Sequence, residues 1–572
     1  MQRSLAVLSF LLLASCMTPR DPIADWLLFE DEYFNELFAA APTFGVMSGY
    51  HQYDAEVEDL SAAAVAKRVN ALKAQATRLA AIPKDRLEPA QQIDYEFLAA
   101  RIDGELHDVD VIRAWRNNPM GYVSMPGSVV DVIMKRNFAP ASERVRSVVA
   151  RLHGIPLMVA AMKANVQNPA PELTDLAARL AAGSVGYFRN DVALWGRAAA
   201  KDDAVLLGQF EAANEAAAKA LEDAAAWLKN DLLKRSKGGY AIGADAYIKK
   251  LKFDEMVDLP LDQVLAIGER NLEKDYQAFV ETARLIDPKK TPAEVMALSG
   301  AAHPAADDLL PAVRRTADGI RQYLIDHDIV TVPSEVRATV VETPPFMRSG
   351  TYAAMDTPGA YETKATEAYY YVTPVEKEWP AAQKEEHLRL FNKYTIDIVT
   401  VHEAYPGHYA QFLYAPKFPT KTRKMLFAYS AAEGWAHYTE QMMIEQGFGG
   451  GDPRYKLSQL SEALLRDCRY VAGIKLHTQG WTVEQATELF ITKGLQERAV
   501  AKEEARRGAF DPLYLAYTLG KLQMLKLRSD YQAKLGPAYS LKKFHDAYLR
   551  QGSLPISLIR RAMLGEGAGP SL

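Results

Sequence analysis

The sequence predicts a mainly α-helical chain with a small β part, an α+β arrangement dominated by helix. Two observations carry this. Apolar residues recur at helical spacing through most of the 572 residues. One segment, about 329–373, is instead rich in Val, Tyr and Thr and is cut by Pro, Gly and Ser. The hydrophobic fraction of 49% and charged fraction of 24% are those of an ordinary globular chain. Net charge is −5, with both signs interspersed, so no nucleic-acid partner is expected. No internal apolar run looks long enough to span a bilayer.

The first element is a targeting segment. Arg3 supplies positive charge, and Leu5 to Ala14 is apolar but too short to cross a membrane. Leu13-Ala14-Ser15-Cys16 looks like a bacterial lipobox. Residues 1–15 would be removed, and acyl chains on Cys16 would hold the protein to a membrane through a tether, 16–24. Met17 is not the Asp that often retains lipoproteins at the inner membrane. The expected location is therefore the periplasmic face of the outer membrane. The alternative is an ordinary secretory signal. Cys468 is the other cysteine, so a lipidated chain has no pair for a disulfide.

From Asp25 to about Ile112 the period is helical, with breaks at Pro42, Pro83 and Pro89. Ser142 to Lys163 reads as a helix with Val145, Val148, Val149 and Leu152 on its apolar face. Ala204 to Leu233 is a long Ala/Leu/Glu/Lys helix with a solvated charged side. Gly238-Gly239 ends it in a loop. Helices follow over Leu261 to Leu285 and Pro304 to Asp326. Ile329 to Val332, Ala338 to Val341 and Tyr369 to Thr373 are predicted strands. Thr351 to Met355 is a candidate edge, able to hold an extended peptide through main-chain hydrogen bonds. Beyond Ala382 helix returns almost to the end. The expected organisation is an N-terminal helical part, 25–328, packed on a catalytic part, 329–572.

The chemistry concentrates in His402-Glu403-Ala404-Tyr405-Pro406-Gly407-His408. A zinc-peptidase helix carries its two imidazoles at i and i+4. Here they stand six residues apart, about 120° off one helix face. Pro406 cannot donate its backbone N–H and Gly407 tolerates unusual dihedrals, so a break there can return His408 to the side of His402. Otherwise His408 is a surface residue beyond a Pro-Gly turn. Glu433-Gly434-Trp435-Ala436-His437-Tyr438 then offers a carboxylate, and two His with one Glu make an open, catalytic zinc set.

Together, these two motifs resemble a bacterial family known as domain of unknown function 885, grouped with the gluzincin metallopeptidases. Weaker matches run through Pro42 to Gly45, Gly49 to Asp54, Gln92 to Tyr95, Pro344 to Arg348 and Tyr517 to Lys521 with Arg528. The resemblance implies a large helical gluzincin-like fold with a small sheet before the zinc-binding helix. It also implies a hydrolase of small peptides, carboxypeptidase- or oligopeptidase-like. An Asp expected before His477 is replaced by Gly473.

The expected roles follow. Zn2+ would sit on His402, His408 and Glu433, with Glu403 as general base. Tyr517, Tyr514 and His477, in that order, are candidates to steady an oxyanion. His437, one turn after Glu433, is expected to orient His402, and could replace His408 as ligand. Arg348, Lys521 and Arg528 are candidates for a substrate carboxylate, with Tyr352 on the edge beside them. A zinc amidohydrolase on a non-peptide or cell-wall amide, and a non-catalytic envelope lipoprotein, are the alternatives.

Overall fold

A computed structural model describes residues 21–348 and 351–572. The expected signal peptide and Cys16 lie outside the described residues. The fold is mainly helical with one three-stranded sheet.

Helix α1 spans Pro22–Ala40, capped by Asp21, whose carboxylate accepts from Ile23 N–H. Helix α2 (Ala62–Ala80) follows, then α3 (Pro89–His107), which opens at a proline after a Glu88/Gln91 capping box. The Pro42 break is real but brief, since Pro42 itself starts a six-residue helix. Helices α4 (Met120–Met134), α5 (Ala141–Asn165), α6 (Pro171–Tyr187) and α7 (Ala204–Trp227) form a bundle. By length and composition alone α5 could cross a membrane, contrary to the sequence expectation. Yet its Val145, Val148, Leu152 and Ile155 are core residues of the bundle.

Helix α8 spans Leu261–Ile286. The helix predicted from Pro304 starts later, as α9 (Leu309–Asp326). Ile329 to Val332 is not a strand. Its first two side chains are buried, but its backbone is held by side chains instead of a neighbouring strand. Asp546 accepts from Thr331 N and Oγ1, and Ile329 O accepts from His545. The β-branched run reported burial, not pairing.

The sheet comprises β1 (Thr339–Glu342), β2 (Ala353–Asp356) and β3 (Tyr369–Val372), in the order β1-β3-β2. β3 pairs parallel with β1 and antiparallel with β2, leaving β2 at an edge. Beyond it lie α10 (Lys393–Glu403), α11 (His408–Phe412), α12 (Tyr429–Glu445) and α13 (Pro453–Thr478). Helices α14 (Arg498–Phe510) and α15 (Ala516–Leu535) follow, and β2 packs against α10. Hydrophobic cores cross residue 328 freely. Trp26, Phe34 and Leu98 share a core with Trp435 and Ile559, and α8 packs on α13.

A close helix pair positions the site. A Cβ on Gly434 of α12 would lie 2.3 Å from Gly520 Cα on α15, and one on Gly520 would lie 2.0 Å from Ser430 O. Two glycines face each other, so the backbones touch and the start of α15 reaches the start of α12.

Candidate metal centre

His402 and Glu403 occupy the last turn of α10, and His408 begins α11. Between them Tyr405–Pro406 is a cis peptide. Gly407 N–H donates to Val401 O at 3.0 Å. A Cβ on Gly407 would lie 1.7 Å from His402 O, so no other residue fits there without moving the loop. Trp435 Nε1–H donates to Pro406 O at 2.9 Å and pins the loop from α12. The chain therefore doubles back, and the two imidazole rings stand 4.8 Å apart and perpendicular.

Glu433 completes the group. Its Oε2 lies 3.5 Å from His402 Nε2 and 3.2 Å from His408 Nε2, and the three candidate ligand atoms all fall within 4.8 Å of one another. Tetrahedral zinc with N and O ligands about 2.0–2.1 Å away separates neighbouring ligand atoms by about 3.3 Å. The two Glu433 distances bracket that value. Among the described residues, the buried Glu433 Oε2 meets no donor besides these two imidazoles, as a metal-facing oxygen would.

The residue behind His402 was not foreseen. Glu440 Oε1 accepts from His402 Nδ1 at 2.7 Å. That proton on Nδ1 leaves the Nε2 lone pair facing Glu433. Glu440 is fully buried and also meets Arg466 at 3.2 Å and His437 Nδ1 at 3.3 Å. Burial opposes its charge, but Arg466 and the two histidines hold it well below the usual carboxylate range. Burial also works against a charged His402, yet Glu433 and Glu440 push its pKa up to about 9. Two carboxylates thus demand a positive charge at this imidazole, and a cation can supply it.

His437 was expected to orient His402. It stands one step further back, hydrogen-bonded to Glu440, while Glu440 makes the direct contact. Burial, then the Lys521 charge, push its pKa down to about 3, so it is neutral. Glu440 lies seven residues after Glu433, on the same face of α12, and that spacing was the sequence signal for it.

Glu403 is half-buried beside His402, and no hydrogen bond or ion pair to a described residue engages its carboxylate. Tyr517 lies on the other side, its ring 6.4 Å from that of His402 and nearly parallel. Burial, then the Glu433 charge, push its phenol up to about 12, so it remains an O–H donor. Tyr352, just before β2, is 41% exposed and is available to a ligand.

Five other candidates are engaged elsewhere in the fold. His477 is buried near the far end of α13, with Nε2–H on Gly508 O at 2.9 Å. Eleven residues separate it from Arg466, about 16 Å along the helix. Tyr514 is buried with its hydroxyl on Glu504. Lys521 is buried against Asp275 at 3.3 Å. Arg348 is occupied by Thr343 O, Glu376 and Glu342. Arg528, the third cation considered for a carboxylate, is paired with Glu445.

A family model described as "bacterial protein of unknown function (DUF885)" matches residues 42–563. The chain belongs to this family. No curated protein matches it. Two solved structures share the architecture of this DUF885 chain. A protein from Shewanella oneidensis, described as a "putative lipoprotein of unknown function", superposes with a TM-score of 0.78 at 27% identity, over 94% of this chain and 99% of that one. A "putative lipoprotein" from Colwellia psychrerythraea gives 0.79 at 18% identity, over 95% and 98%.

Proposed function

We propose that this DUF885 protein is an envelope-anchored, zinc-dependent hydrolase of peptide bonds, gluzincin-like in its ligand set. The observation that carries the reading is Glu433 Oε2, buried and, among the described residues, facing two imidazole Nε2 atoms and no other donor. The lipobox at Cys16 and the description of the Shewanella relative as a lipoprotein support the anchor.

His402, His408 and Glu433 would hold the zinc, which when bound supplies Lewis acidity toward a carbonyl and an acidified water. Glu440 keeps the proton of His402 on Nδ1 and fixes the ring. Glu403 accepts the proton of the attacking water and passes it to the leaving amine. Tyr517 O–H donates to the oxyanion that develops on the scissile carbonyl. The free edge of β2, packed on α10, offers main-chain groups to an extended peptide.

The test is a panel of short peptides and non-peptide amides, given to the zinc-loaded protein and to its Glu403→Gln variant. Peptide cleavage by the parent, lost in a variant that keeps zinc, is expected. Cleavage confined to non-peptide amides would move the substrate class, and retained cleavage in Glu403→Gln would remove that residue from its role.

A further inference from the structure

Three arginines and Tyr517 line up beside the metal centre, and their carboxylate partners can be accounted for one at a time. Arg466 divides its guanidinium between Glu440 at 3.2 Å and Glu462 at 2.8 Å. Arg469 gives Nε and one terminal nitrogen to Glu504 at 2.7 and 2.8 Å. Glu504 also takes the Tyr514 hydroxyl, and it acts on Arg507 only at longer range. Arg507 on α14 lies 5.4 Å over the Tyr514 ring and makes no ion pair or side-chain hydrogen bond with a described residue. Asp511, one turn on, accepts from Leu513 N–H through one oxygen and feels the Arg507 charge without forming an ion pair with it.

Arg507 nevertheless belongs to the wall of the site. Arg469 lies 5.3 Å over both the Tyr514 and Tyr517 rings, and Tyr517 stacks beside His402. Of the three arginines, Arg507 acts most strongly on the Tyr517 hydroxyl. It is half-exposed, unlike the buried Arg466 and Arg469. A guanidinium with no ion pair among the described residues, set against the Tyr514 side of this wall, is suited to one substrate group above others, a carboxylate, which it can grip with two parallel N–H donors.

We infer that Arg507 receives the free C-terminal carboxylate of a short peptide, so that cleavage falls near the C-terminus. The step adds water across the C–N bond. The new carboxylate stays with the N-terminal fragment, and the C-terminal fragment leaves as an amine protonated through Glu403. This rests on the hydrolase reading for the cleavage, though not for the binding of the carboxylate.

The test uses acetylated Ala-Ala-X tripeptides, with X covering all residue types, each as the free acid and as the C-terminal amide. Binding is measured to the zinc-loaded Glu403→Gln protein, and turnover with the parent. The acids should bind about 10- to 100-fold more tightly than the amides, as expected for hydrogen bonds to a charged group. Adding Arg507→Gln should erase that preference, and Arg507→Lys should restore part of it. Equal binding of acids and amides, binding of neither, or a preference that survives Arg507→Gln would overturn the inference. Arg507-dependent binding of acids without any turnover would keep the carboxylate receptor and remove the hydrolase reading.

Discussion

The decisive residue behind the candidate metal ligands is Glu440. His437 looks better placed in sequence, at i+4 from Glu433, but the shorter contact to His402 belongs to Glu440. Removing an outer carboxylate of this kind typically costs about 10- to 100-fold in metal affinity. Glu440→Gln should therefore weaken zinc binding by that factor in a chelator competition. His437→Gln, which leaves the His402–Glu440 contact in place, should weaken it much less. The reverse order would return the orienting role to His437. Glu403→Gln belongs at the same scale: affinity for zinc is expected to stay, and turnover to vanish.

Among the elements, the pairing of α12 with α15 and the break between α10 and α11 matter most. At the Gly434–Gly520 crossing an added methyl has nowhere to go, with Ser430 O only 2.0 Å away. Gly520→Ala should destabilise the fold by about 1–3 kcal/mol, the usual range for overpacking. It should also weaken zinc binding, because Glu433 moves with α12. Gly183 on α6 is the control, since nothing lies within 4 Å of its added methyl. Thermal melts of both variants check this, and equal behaviour would contradict it.

The break itself was legible. Pro406 and Gly407 are residues that interrupt a helix, and the six-residue spacing of the histidines makes chemical sense only if they do. Glu433 was legible as a candidate partner of the two histidines, and the fold brings the three side chains together. Arg348 and His477 were misplaced for a different reason. Their residue types suit the roles, but whether a guanidinium is free or an imidazole is buried depends on partners distant in sequence. Glu376 and Gly508 are those partners, and no local pattern announces them. Arg507 shows the converse, since being unpaired is a property of the whole arrangement. The strand expected at Ile329 failed because burial and β-branching were read as pairing.

For the molecule as a whole, burial of ionisable groups sets its response to acid. Burial pushes both His477 and His545 down to about 4 from an ordinary 6.5. Their folded forms refuse a proton that the unfolded chain accepts. The stability they contribute is complete above about pH 6.5 and is lost as pH falls toward 4. Glu255 and Asp467 are pushed up to about 7 by burial and act in the opposite sense, favouring the fold as pH falls through the same window. The clean readout is thus a difference. His477→Asn should lower the slope of unfolding free energy against pH between 6.5 and 4 by about one proton relative to the parent. An unchanged slope would mean that His477 titrates normally in the fold.

The central claim is that His402, His408 and Glu433 form one metal centre across the break at Pro406-Gly407. Metal analysis of the purified chain from residue 17 onward, beside His408→Ala and Glu433→Ala, tests it most directly. About one zinc per parent chain is expected, lost in both variants. A parent that takes up no zinc when supplied with it, or a His408→Ala variant that keeps its zinc, would contradict it.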